Sequence, residues 1–212
     1  MTTNTVSAPL VSAIESAWEE IRDRHQDVPE VVVTIGSGSD AQGMRLGHFA
    51  ANRWERGEDT VHELFVGGEG LRAGATEVLA TLLHEAAHAA AQERGVQDTS
   101  RQGRYHNKRF KEIAEEFGLD VQHSSKIGWS DTAIPTHVAA DYSPTIAKLA
   151  AAITAYRRAE TRAATGGRKS NNNGASAECT CGRKIRASLT VLESGPIICG
   201  LCGDEFTPIE NV

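Results

Sequence analysis

Aromatic residues are scarce, at 5% of the 212 residues, so a core built from this chain rests on Ala, Val, Leu and Ile. Cysteine is absent before residue 179, which excludes a disulfide framework for most of the chain. No run of about 18 apolar residues occurs, so no transmembrane helix is expected. The first nine residues lack the charged start and apolar stretch of a signal peptide, and a cytoplasmic protein is the expectation. An excess of basic residues is missing too: the net charge of -6 excludes a general coat of positive charge, though not a local patch. Apolar residues at 40% and charged residues at 24% suit a globular domain of ordinary size with a small appendage.

Apolar residues recur every three to four positions in residues 10–27 (Val11, Ile14, Trp18, Ile21), which predicts a helix. The β-branched run 31–35 predicts a strand stopped by Gly36-Ser37-Gly38, and residues 46–54 and 60–66 predict two more. Together they suggest a small antiparallel sheet, with residues 63–66 on an edge able to pair with an extended peptide. Residues 75–94, rich in Ala, Leu and Glu and stopped by Gly95, form the strongest helical segment. Further helices are expected over 105–117, closed by Gly118, and over 143–164; residues 121–136 read as irregular. A Gly-, Ser- and Asn-rich linker at 165–177 separates a main domain, 1–164, from a short unit, 178–212.

The strong helix carries His84-Glu85-Ala86-Ala87-His88. Residues four apart share a helix face, so His84 and His88 can direct two imidazoles at one ion. Glu85, one position round, can reach a water on that ion without ligating it. Hydrolysis needs this set: zinc acidifies its water and polarises a carbonyl, while a carboxylate moves the proton. The alternative is a pair of solvated or core histidines. A catalytic zinc takes three protein ligands. The metzincin spacing would require a histidine at Arg94 and a glycine at Ala91, so that pattern is excluded. His106, Glu112, Glu115 and Glu116 remain as candidates for the third ligand, and His106, which follows a loop able to fold back, is favoured. Tyr105 and His123 are polar groups within sequence reach of such a site.

The four cysteines form two close pairs, Cys179-Thr180-Cys181-Gly182 and Cys199-Gly200-Leu201-Cys202-Gly203. Each pair can make a knuckle turned by its glycine, and four thiolates complete a closed structural zinc site. Residues 184–192 between them alternate enough for a strand. A unit of 35 residues buries little apolar surface, so the metal would supply much of its folding energy. Between residues 155 and 190, Arg157, Arg158, Arg162, Arg168, Lys169, Arg183, Lys184 and Arg186 face only Glu160 and Glu178. This segment is a candidate phosphate-binding surface, without aromatics for base stacking.

The stretch from Leu83 to Ala89 around the two histidines, followed by Gly103-Arg104-Tyr105-His106 and then by two cysteine pairs, resembles the SprT-like family, which includes the Spartan proteases. Leu46-Gly47-His48-Phe49 through Trp54 is similar to that family's strand before the active-site helix. The resemblance covers roughly residues 10–120 and 178–205. It implies an α+β fold: a compact zincin-like domain with a small antiparallel sheet, the histidine-bearing helix and following helices, plus a C-terminal zinc ribbon. It implies a metallopeptidase with a catalytic Zn2+ on His84, His88 and His106, Glu85 as general acid and base, and a structural Zn2+ on Cys179, Cys181, Cys199 and Cys202. The partner it implies is a protein or peptide substrate, and it adds to the case for DNA on the basic segment 155–190; no membrane partner is expected, since no long apolar run occurs. Cys-x-Cys in place of the commoner Cys-x-x-Cys is a departure from the pattern, as are the long connection to His106 and the unmatched 121–136 stretch.

Overall fold

A computed structural model describes residues 5–40, 43–159 and 175–209. The chain divides into two units, Met1–Glu160 and Thr161–Val212. Both are mixtures of helix and strand, and no helix among the described residues is long and apolar enough to cross a membrane.

The first unit opens with α1 (Ser7–Arg24), whose Leu10, Ile14, Ala17, Trp18 and Ile21 form the buried stripe expected of their spacing. Then come β1 (Val31–Gly36), a short hairpin of β2 (Ser39–Asp40) and β3 (Gly43–Met44), and the long strands β4 (Gly47–Arg56) and β5 (Asp59–Gly67). The main sheet is mixed rather than antiparallel: its order is β1-β5-β4, with β1 parallel and β4 antiparallel to β5. Residues 63–66 therefore lie on the central strand, with both backbone edges paired, and the outer edges belong to β1 and β4.

A 3-10 turn (Gly70–Ala73) leads into α2 (Ala75–Glu93). Val78, Leu79, Leu82 and Leu83 are buried, and so are Ala86, Ala87, Ala89, Ala90 and Ala91. Small side chains on its second half let neighbouring elements approach closely, which suits a helix packed on several sides. Gly95, at φ 64°, ends it: Gly95 N–H donates to Gln92 O and Val96 N–H to Ala91 O. This double closure of a helix end around a left-handed glycine turns the chain back along the helix.

A second sheet follows, of order β6-β7-β9-β8, from β6 (Thr99–Ser100), β7 (Tyr105–His106), β8 (Asp120–Ser124) and β9 (Gly128–Ala133). Between β7 and β8 runs α3 (Lys108–Glu116), closed at Gly118 in the same way as α2. The expected helix over 105–117 thus starts later, because Asn107 caps it through Oδ1 to the N–H groups of Arg109 and Phe110. The stretch read as irregular, 121–136, is mostly the β8–β9 hairpin. The unit closes with α4 (Thr136–Asp141) and α5 (Ser143–Ala152). The helix expected to reach 164 stops at Ala152. Beyond it the chain crosses the end of β5, where Arg157 N–H donates to Gly68 O.

In the second unit β10 (Ala175–Glu178) pairs antiparallel with β11 (Lys184–Ala187) and with β12 (Thr207–Pro208). The strand expected over 184–192 ends at Ala187 and gives way to α6 (Leu189–Glu193), capped by Ser188. The expected linker, 165–177, lies outside the described residues up to 174, and its last three residues belong to β10. The buried core here is small: Ala177, Cys179, Cys199 and Phe206.

Candidate metal centres

Two elements bring three histidines together. His84 and His88 come from consecutive turns of α2, and His106 from β7, where its N–H donates to Ile127 O. Their ring centroids lie 4.9, 5.0 and 5.2 Å apart. Phe110, fully buried, backs all three rings at 4.6–4.7 Å. One nitrogen from each falls within 4.8 Å of the others, a group able to hold a metal ion. His88 Nε2 and His106 Nε2 face each other at 3.0 Å. Burial, then the neighbouring imidazoles, push His84 well below the ordinary imidazole pKa, and burial with His88 lowers His106 to about 4. Both rings therefore carry free lone pairs at neutral pH, as ligation requires.

Two of the three outer nitrogens are held in turn, while His106 Nδ1 is buried without a hydrogen-bond partner among the described residues. His84 Nδ1 pairs with Thr132 Oγ1 of β9 at 3.0 Å, which turns its Nε2 toward the other rings. His88 Nδ1 meets Asp98 Oδ2 at 2.5 Å, with both side chains largely buried. Burial opposes charge on His88, but this carboxylate and Glu85 raise its pKa above the ordinary value. Asp98 is fixed through the backbone: Asn107 N–H donates to Asp98 O, and Asn107 Nδ2 to Gln97 O. Asn107 thereby joins the Asp98 segment, the histidine strand and the start of α3. Carboxylates and hydroxyls on outer histidine nitrogens fix tautomer and ring direction in metal sites.

Glu85 is 6% exposed and accepts a hydrogen bond from Phe49 N–H of β4 at 2.8 Å. Burial raises its pKa, while His88, this hydrogen bond and Arg45 oppose the rise. A buried carboxyl group beside these imidazoles is placed to take and return a proton. The close fit of α2 to β4 requires glycine at 47. A Cβ there would stand 2.6 Å from Thr81 Cγ2 and 2.8 Å from Glu85 Oε1.

A cavity of about 730 Å³ opens over Glu85 and the three histidines. The edge of β4, with Gly47 and Phe49, and the Met44–Leu46 lip line it on one side. The loop carrying Arg104 and the second half of β9, through Thr132, line it on the other. The other sequence candidates for the third ligand are occupied elsewhere: Glu115 pairs with Lys111 and Glu116 with Arg94, and Glu112 is exposed. Tyr105 and His123 bond to each other and do not line the cavity. Sequence reading passed over Asp98 and Thr132 and gave Asn107 and Gly47 no role of their own. None of them belongs to a spacing motif, and only their contacts reveal them.

In the second unit the four cysteine sulfurs also lie within 4.8 Å of one another. Cys179 Sγ and Cys181 Sγ are 3.2 Å apart, and Cys181 Sγ and Cys199 Sγ 3.8 Å. These are too long for a disulfide, and all four thiols are free. Gly182 and Gly203, each at φ 81°, close the two knuckles through N–H bonds to Cys179 O and Cys199 O. Backbone N–H groups of Cys202 and Leu201 lower the Cys199 thiol to about 6, and the shared Cys179 thiol pushes Cys181 up to about 12. Of the basic segment 155–190, Arg157 pairs with Glu69 and Lys184 with Glu178, while Arg162, Arg168 and Lys169 lie outside the described residues.

Comparison of the chain with known protein families, with characterised proteins and with solved structures gives no match.

Proposed function

We propose that the protein is a zinc-dependent peptidase of the SprT-like, zincin-like kind, with a catalytic zinc on His84, His88 and His106 and a structural zinc on the four cysteines. The observation that carries this reading is the buried Glu85 carboxylate, held by Phe49 N–H beside three converging imidazoles, with the outer nitrogens of His84 and His88 on Thr132 and Asp98. Tetrahedral zinc with nitrogen ligands at about 2.1 Å sets them about 3.4 Å apart, and with sulfur ligands at about 2.3 Å sets those about 3.8 Å apart. The facing His88 and His106 nitrogens at 3.0 Å and the cysteine sulfurs at 3.2–3.8 Å fit both sets with small adjustments.

When bound, zinc supplies Lewis acidity toward a water and a peptide carbonyl. The residues of the chain do the rest. The outward edge of β4 binds an extended peptide by strand addition. One Glu85 oxygen stays on Phe49 N–H, while the other takes a proton from the water and returns it to the leaving amine. Asp98 keeps the His88 proton on Nδ1, and so keeps Nε2 free to bind the ion. Removal of metal with a chelator should abolish cleavage of unfolded casein, and stoichiometric zinc should restore it; chelator-resistant cleavage would sink the proposal.

A second reading, a nucleic-acid-binding or regulatory module with structural zinc alone, draws on residues 99–111. This stretch holds Arg101, Arg104, Lys108, Arg109 and Lys111 and no acidic residue. Arg101, Arg104, Lys108 and Arg109 are exposed and have no acidic partner among the described residues. A binding module has no use for a carboxylate buried beside three imidazoles, which favours the peptidase. DNA remains a candidate partner of the peptidase, and oligonucleotide binding that survives charge reversal at Arg101 and Arg104 would remove this stretch from consideration.

A further inference from the structure

The free edge of β4 is regular for only part of its length. Ala50 faces Glu63 and Trp54 faces Val61, so residues 51–53 oppose the single residue His62. Asn52 sits in the left-handed region at φ 55°. Its N–H donates to His62 Nδ1 at 3.0 Å, and its Oδ1 accepts from Thr60 Oγ1 at 3.0 Å. His62 in turn reaches Glu93 at the end of α2, 3.4 Å away. The bulge is therefore braced by side chains from the partner strand and tied to the helix that bears the histidines. Bulges of this kind bend a strand and end its pairing on the outer edge.

The register before the bulge is readable. Leu46 O accepts from Gly67 N–H, so Leu46 faces β5. Strand alternation then turns the backbone groups of Gly47 and Phe49 outward, toward the cavity they line. Phe49 N–H is already taken by Glu85. A bond attacked with help from Glu85 must lie beside that carboxylate, and hence opposite Phe49. From Phe49 to the start of the bulge is two residues, about 7 Å of strand.

We propose that the bulge at residues 51–53 ends the substrate strand. Resting on the peptidase reading, this assigns the substrate class: an extended, unpaired peptide segment, gripped for about two to three residues beyond the scissile bond on the bulge side and free past that point. Tails and unfolded loops meet this requirement, whereas strands already paired on both edges do not.

The test starts from a bond that wild type cuts in reduced, carboxymethylated casein. Peptides spanning it are lengthened one residue at a time, at each end separately. At one end kcat/KM should rise several-fold per residue for two or three residues and then change less than twofold per residue. Deleting Asn52 and Arg53 removes the two extra residues and should move that plateau outward by at least two residues. Should the deletion variant not fold, affinities of the same peptides for zinc-loaded Glu85→Gln should show the wild-type plateau. A rise that continues past four residues at both ends, or a folded deletion variant with the wild-type plateau, overturns the inference while leaving the peptidase intact. Failure to cut casein or any peptide overturns both.

Discussion

Asp98→Asn isolates the support for one metal ligand from the ligand itself. The substitution keeps the shape and an oxygen acceptor at His88 Nδ1 but removes the charge from a 2.5 Å contact. The Asp98 side chain is 13% exposed and that of His88 17%, so solvent screens the pair only weakly. Charge-assisted hydrogen bonds are about twice as strong as neutral ones. Loss of such an outer carboxylate typically weakens metal binding ten- to hundredfold, or about 1.4–2.7 kcal/mol. The assay is zinc competition against a chromophoric chelator, with the two sites resolved by their affinities. The three-histidine site should weaken by that factor while the four-cysteine site, in the other unit, stays at its wild-type affinity. Asp98→Ala should weaken it further, because it also leaves Nδ1 without an acceptor. Wild-type affinity at the three-histidine site in Asp98→Asn would refute the reasoning, as would equal weakening at both sites.

Gly47→Ala places a Cβ 2.8 Å from Glu85 Oε1, so kcat should fall by about two orders of magnitude with zinc content unchanged in metal analysis. Glu69 accepts from Gly38 N–H and Ser39 Oγ; burial opposes its charge, but these bonds and Arg157 hold its pKa at about 2 against an ordinary 4.5. A depressed carboxylate pKa stabilises the fold fully above pH 4.5, and that contribution is lost as pH falls through about 2. Glu69→Gln should therefore cost on the order of 2–3 kcal/mol in urea unfolding at pH 7, and its stability should converge with that of wild type near pH 2. Cys199→Ser should release one equivalent of zinc and unfold the second unit, seen as protease sensitivity confined to residues beyond 174.

The α2 helix was legible because its Leu and Ala residues repeat every three to four positions and Gly95 ends them. The histidine pair and Glu85 were legible for the same reason: a helix fixes which residues share a face. His106, the favoured one of four candidates, falls within the three-histidine group, but it sits on a strand and not on the helix expected over 105–117. Tyr105–His106 pairs with Thr99–Ser100 and Gly128, and a two-residue strand has no periodicity of its own. The β8–β9 hairpin escaped notice because a register shift between Gln122 and Ser124 breaks its alternation and most of its residues are polar and partly exposed. The sheet edge was misplaced because β1 pairs in parallel with β5 across an intervening hairpin and β4, a long-range choice that local alternation does not encode. The last helix was overextended because its Ala-rich sequence favours helix, whereas the bond from Arg157 N–H to Gly68 O follows a different path. Asp98 and Thr132, ten residues beyond His88 and far along the chain from His84, carry no signal until the fold brings them to the outer nitrogens.

The most direct test of the peptidase account is Glu85→Gln. The amide keeps an oxygen able to accept from Phe49 N–H but cannot take up a proton from water. The account predicts zinc content equal to wild type and cleavage of unfolded casein reduced by at least about a thousandfold. Cleavage at the wild-type rate by a variant with full zinc content would contradict it.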